Sequence, residues 1–176
     1  MPANLSSFNK ITMAKEHSMD ITVKFDFQEL KNAVEMTKKE ALNRYDLKDA
    51  GIEIELSEET VKVTAQSEMQ IEAVYGILIK KMVGRSLSPK ILDRQNIAEI
   101  GGMRMRQEMK LIKALDQENA KKLSKIVRDF FPKAKPLIQG ETLRVTSAEI
   151  DELQAIMAKL KEDESVKVPL EFGNYR

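Results

Sequence analysis

The chain contains no cysteine and no tryptophan, and its one histidine is His17. The missing thiols exclude disulfides, cysteine nucleophiles and zinc-thiolate sites, and they fit a reducing compartment. His17 falls within residues 1–18, which show no periodicity and read as a leader or extension. A histidine placed there leaves no histidine-based triad for the folded part. No phosphate loop of the form G-x-x-x-x-G-K-[ST] is present. The formal net charge is only +1, so any nucleic-acid binding must come from a local patch rather than a global field. No apolar run approaches the roughly 18–20 residues of a membrane span, and residues 1–13 lack the apolar core of a signal peptide. The expected setting is the cytoplasm.

What is present is a repeat. Residues 59–65 read Glu-Thr-Val-Lys-Val-Thr-Ala and residues 141–147 read Glu-Thr-Leu-Arg-Val-Thr-Ser, an offset of 82 residues (141 minus 59). In each copy apolar residues alternate with Lys62 and Thr64 or with Arg144 and Thr146, the period of a strand with one buried face. Each copy runs directly into an amphipathic helix. Nearly half the chain separates them, which predicts two small domains, 19–98 and 99–176, of about 80 residues each.

Around the first copy, alternation predicts a strand over 20–25. Asp26 with Glu29 opens a helix carrying Leu30, Ala33, Val34, Thr37 and Ala41. Residues 45–51 form a loop. Ile52, Ile54 and Leu56 then pair in a hairpin with the first copy, Ser67 with Gln70 opens a second helix that stops at Gly84, and a short strand lies near 90–92. Around the second copy, Gly101-Gly102 reads as a linker or strand entry. Met103, Met105, Met109 and Leu111 alternate there with Arg104, Arg106, Glu108 and Lys110. Asp116 caps a third helix, Leu137–Gln139 pairs across Gly140 with the repeat, Ser147 caps a fourth helix, and 166–172 closes as an edge strand where Pro169 is tolerable. Both halves read β-α-β-β-α-β. The expected class is α+β, two ferredoxin-like domains in tandem, each leaving one sheet face open for function or partnering.

Arg104, Arg106 and Lys110 on the first strand of the second half are expected beside Arg144 on its neighbour, with Gln139 joining from the hairpin. Guanidinium groups on a flat sheet suit phosphate oxygens, which they grip bidentately. The alternative is an ordinary solvated face, or two open sheets pairing their charges. The RNA-recognition motif shares this topology and stacks bases on central-strand aromatics, but Lys62, Thr64, Arg144 and Thr146 offer none. Tyr45 stands between the cations Arg44 and Lys48. It is either a holder of a base and its phosphate or a lid on the core.

Several further segments carry a resemblance: Lys15-Glu-His-Ser-Met-Asp-Ile21, Glu29-Leu-Lys-Asn-Ala33, Arg44-Tyr-Asp-Leu-Lys48, Gln139-Gly-Glu-Thr-Leu-Arg-Val-Thr146, Asp151-Glu-Leu-Gln-Ala155 and Pro169-Leu-Glu-Phe-Gly-Asn-Tyr-Arg176. Together they resemble the YajQ family of bacterial nucleotide-binding proteins from about Met13 to Arg176, with residues 1–12 as an extension. The family's Arg-Tyr-Asp-Phe-Lys-Gly stands here with Leu47 for Phe and Asp49 for Gly, which weakens a stacking role at 47 and a bend at 49. The resemblance implies tandem ferredoxin-like domains, with edge strands open to exchange between them, and a ligand class of guanine nucleotide, cyclic di-GMP or tRNA. It supplies no catalytic residues.

The expected function is a non-catalytic nucleotide-binding protein, with Arg104, Arg106, Lys110, Arg144, Gln139, Arg44, Tyr45 and Lys48 as candidate contacts. No cofactor, metal or membrane contact is expected, and the chain is expected to be a monomer or weak oligomer. The alternative is an interaction module that recruits a protein regulator through sheet faces or edges.

Overall fold

A computed structural model describes residues 16–176. In chain order, strand β1 spans His17–Thr22, helix α1 Phe27–Asn43, β2 Glu53–Leu56, β3 Thr60–Ala65 and α2 Glu68–Gly84. A 3-10 turn at Pro89–Ile91 leads into β4 Leu92–Arg94, β5 Ala98–Ile100 and β6 Arg104–Leu111. Then come α3 Gln117–Phe130, β7 Lys135–Gln139, β8 Thr142–Ser147, α4 Ile150–Glu162 and β9 Glu171–Gly173. The class is α+β.

Local chemistry sets the helix starts. Asp26 Oδ1 accepts the amides of Gln28 and Glu29, and Asp116 Oδ1 accepts that of Asn119. Ser67 takes the Gln70 amide while Gln70 Oε1 reaches back to the Gln66 amide. These are donors that the first helical turn leaves unpaired. At α4 the capping position is Glu149, not Ser147. Ser147 Oγ accepts the Glu149 amide and donates to Glu152, so it braces the turn from the end of the preceding strand.

The described residues divide into two compact units, one of residues 16–24 with 114–176 and one of residues 25–113. The first has the sheet order β7-β8-β1-β9, with α3 and α4 inserted between its strands in β-α-β-β-α-β order. Met19, Ile21, Leu143 and Val145 point to its core, with Leu123, Val127, Leu153 and Ile156 from the helices. The second has the order β2-β3-β6-β4, with β5 also paired to β6. Val61, Val63, Met109 and Leu111 meet Leu30, Val34, Ile71, Val74 and Leu78 in its core. Both orders are the ferredoxin-like arrangement.

The cut does not run head to tail at 98/99. β1 leaves the chain that follows it and pairs with β8 and β9, and β6 takes the matching place between β3 and β4. The exchanged strands are therefore inner strands, flanked on both sides, rather than edge strands. β1 also starts earlier than expected, since His17 and Ser18 continue its ladder opposite Ser147 and Thr146. His17 belongs to the fold and not to a leader; the rest of that expected leader, 1–15, lies outside the described residues. The closing strand is shorter than 166–172: Val166 and Val168 are buried before β9 begins at Glu171. The short strand near 90–92 lies slightly later, at 92–94, behind the 3-10 turn. Gly84 stays helical, and Ser86 at φ 63° makes the left-handed exit.

Candidate functional site

Strand exchange divides the expected phosphate surface. Arg104, Arg106 and Lys110 lie on β6 in the unit of residues 25–113, whereas Arg144 on β8 and Gln139 on β7 lie in the other unit. The physical reason is that β6 pairs with β3, not β8. Arg144 stands opposite Asp20 of β1 and Leu137 of β7.

Arg144 is already committed. Its Nε and Nη2 donate to Asp20 Oδ1 and Oδ2 at 2.9 and 3.3 Å, and Asn174 Nδ2 donates to Oδ2 at 2.7 Å. The Asp20 side chain is only 15% exposed. The Arg144 hydrogen bond, with help from Asn174, holds the Asp20 carboxyl below its ordinary range against the opposing effect of burial. The same pairing raises the Arg144 guanidinium above its usual value. A phosphate here would have to displace a two-pronged carboxylate. Gln139 is exposed opposite Thr142 and lies well along β7 from Leu137, the residue that faces Arg144.

The β6 cations fare differently. Arg106 Nε donates to the buried Thr64 hydroxyl at 3.0 Å, and neither Arg106 nor Lys110 joins an ion pair among the described residues. The sheet around them is mixed in charge: Lys62 lies opposite Glu55 and Glu108, and Lys110 opposite Asp93. Arg104 points back to the loop after α1, where its Nη2 donates to the Gly51 carbonyl. Gly51 has φ +61°, and a side chain there would meet Arg104 at 3.4 Å. The positive φ is what favours glycine there.

That contact ties the basic strand to the loop of Arg44, Tyr45 and Lys48. Leu47 is 1% exposed and anchors the loop in the core, so the lid role falls to Leu47. Tyr45 is 91% exposed; it covers nothing. The Lys48 ammonium stands 5.8 Å from the Tyr45 ring centroid, within cation–π reach. Arg44 donates from Nε and Nη2 to both oxygens of Asp46, at 2.9 and 2.8 Å. This holds the Asp46 carboxyl low and the Arg44 guanidinium high, and it leaves Arg44 Nη1 outside the pair. Beside the loop is a pocket of about 380 Å³ lined by Lys38, Leu42, Leu47, Lys48, Ile52 and Ile54, among others.

Of the expected residues, Arg44, Tyr45 and Lys48 share this loop, and Arg104 reaches its far end at the Gly51 carbonyl. Arg106 is the next residue of the same parity along β6. Two groups escape the sequence pattern. Asp20, the partner of Arg144, is signalled only by a lone acid between two apolar strand residues. Leu42, 68% exposed, is signalled by being apolar while off the helical stripe of Leu30, Ala33, Val34, Thr37 and Ala41. Among the described residues no helix is long and apolar enough to cross a membrane.

The model of the family described as nucleotide-binding protein YajQ-like matches residues 17–176. A nucleotide-binding protein of Chloroflexus aggregans is 47% identical over 165 residues, covering 93% of this chain and all of the relative. A protein of the same name from Trichodesmium erythraeum is 44% identical over 164 residues, with the same coverage of each chain. One from Roseiflexus is 44% identical over 165 residues, again covering 93% of this chain and all of the relative. The match runs from the first residue of β1 through the whole of both units, and the chain belongs to the YajQ-like family.

Proposed function

We propose that the chain binds a nucleotide without turning it over, in the cytoplasm, through the loop that follows α1. The relatives' names supply the ligand class in general; guanine nucleotides, cyclic di-GMP and tRNA are its specific candidates. The observation that carries the reading is Tyr45, an aromatic ring almost wholly in solvent beside the Lys48 ammonium. An exposed ring gains by covering its face, and a nucleobase is a flat partner for it. Base–aromatic stacking contributes about 1–3 kcal/mol per base. Lys48 would meet the phosphate as a point charge, and Arg44 Nη1 and Arg104, at the start of β6, would extend the cationic path. Arg144 and Gln139 have no part in this site.

The test is calorimetric titration with GTP, cyclic di-GMP and bulk tRNA at two salt concentrations, on the unaltered chain and on Tyr45→Ala and Lys48→Ala. Salt-sensitive binding of one ligand is expected, weakened about tenfold by Tyr45→Ala. Lys48→Ala should lower the salt slope by about one phosphate contact. Binding untouched by both substitutions would contradict the placement, and phosphate release would contradict the absence of turnover.

A further inference from the structure

The sheet of the second unit ends at β2, and among the described residues no strand pairs with its outer edge. Other edges are guarded: β7 carries Pro136, which has no amide to donate, and β4 and β9 are three residues long. β2 has four residues, Glu53–Leu56, with no proline.

The register shows which groups face outward. The Ser57 amide donates to the Thr60 carbonyl at 2.9 Å, which makes 57/60 a hydrogen-bonded pair. Bonded pairs alternate along an antiparallel ladder, so Glu55/Lys62 and Glu53/Thr64 are bonded too. The amides and carbonyls of Ile54 and Leu56 then point away from the sheet. They are at the spacing another strand needs.

The side chains around this edge differ on the two sheet faces. On the helix side the edge borders the groove between α1 and β2, with exposed Leu42, the apolar side chains of Ile52 and Ile54, and Lys38 and Lys48. On the other face stand Glu53 and Glu55, both exposed. A second copy of β2 laid antiparallel would bring its glutamates against these, which is unfavourable.

We infer that β2 takes an extended peptide from a partner protein as an added strand, its apolar residues entering the groove beside Leu42 and its alternating lysines or arginines meeting Glu53 and Glu55. Backbone bonds give the affinity and the alternating faces give the choice of partner. Lys38 and Lys48 repel a peptide shifted by one residue, because the shift would carry its cations into the groove. The inference does not depend on nucleotide binding, and its test uses none of the residues proposed to hold the nucleotide.

The probe is a short fluorescent peptide alternating valine and lysine, followed by anisotropy on the full chain. Saturable binding is expected. Methylating the peptide amides that face β2 should weaken it about tenfold or more, and Leu42→Arg should do the same. The double variant Glu53→Lys, Glu55→Lys should exchange the preference for a valine–glutamate peptide. Failure to bind, equal binding of the methylated peptide, or an unchanged preference in the double variant would overturn the inference. The methylated peptide is tested on the unaltered chain, so that arm stands even if a variant fails to fold.

Discussion

The two units use one strand plan for different ends, and the register lets them be compared position by position. Arg144 of β8 faces Asp20 of β1; at the matching place Lys62 of β3 faces Glu108 of β6. The first pair closes as a two-pronged ion pair, braced by Asn174. The second closes no ion pair among the described residues. A guanidinium fork matches a carboxylate plane, while an ammonium on a flexible stem keeps to water. One step along, Met19 faces Val145 where Gln107 faces Val63. Met19 is packed apolar surface. Gln107 is also buried, and its amide accepts from Arg94 and donates to the Gln95 carbonyl. The unit of β1 thus spends its open-face charge internally, and the unit of β6 leaves Lys62, Arg106 and Lys110 outside any ion pair among the described residues. That contrast favours the second unit as the binding one.

The largest expected effect comes from forcing the two inner positions to trade. Met19→Gln puts an amide where no partner waits and should cost about 2–4 kcal/mol in chemical denaturation. Gln107→Met removes satisfied bonds but fills the same volume, and should cost about 1 kcal/mol. Equal costs would erase the distinction between the two cores.

Next in size is the ion pair. Asp20→Asn should destabilise by about 1–3 kcal/mol, whereas Glu108→Gln should stay within about 0.5 kcal/mol. The same pair has an acid signature. The Asp20 carboxyl is held low in the folded chain, so its contribution is present above the ordinary carboxylate range and is lost as pH falls through the depressed value. Melting curves between neutral and strongly acid pH should show a loss of stability that Asp20→Asn reduces. The smallest effect is a gain. Lys62→Arg supplies the fork that its counterpart has and should add a few tenths of a kcal/mol, read as a small rise in denaturation midpoint.

Much of the fold is legible in the sequence. The alternation at 61–65 and 143–147, the caps at Asp26, Ser67 and Asp116, and the apolar helical stripes locate most elements within a few residues. What local pattern does not carry is the partner of a strand. β1 sets Met19 and Ile21, and β6 sets Met105, Met109 and Leu111, on a single face, so either strand offers apolar residues to the buried face of β3 or of β8, and only the whole chain decides. That ambiguity allows Arg144 to be expected beside Arg106, whereas the fold sets it beside Asp20. In the Arg44–Lys48 loop, Tyr45 and Leu47 share a face by parity, and the path of the turn decides which of them is buried. β5, Ala98–Ile100, is three residues long with two of them exposed, and such a segment leaves no periodic trace.

The contrast between a spent and an unspent cationic surface can be tested directly by one titration. The nucleotide or RNA that binds the unaltered chain is titrated into Tyr45→Ala and into the charge-balanced double variant Asp20→Asn, Arg144→Gln. A loss of about tenfold is expected in the first and unchanged affinity in the second. Full affinity in Tyr45→Ala with binding lost in the folded double variant would place the ligand on the other sheet and contradict the assignment.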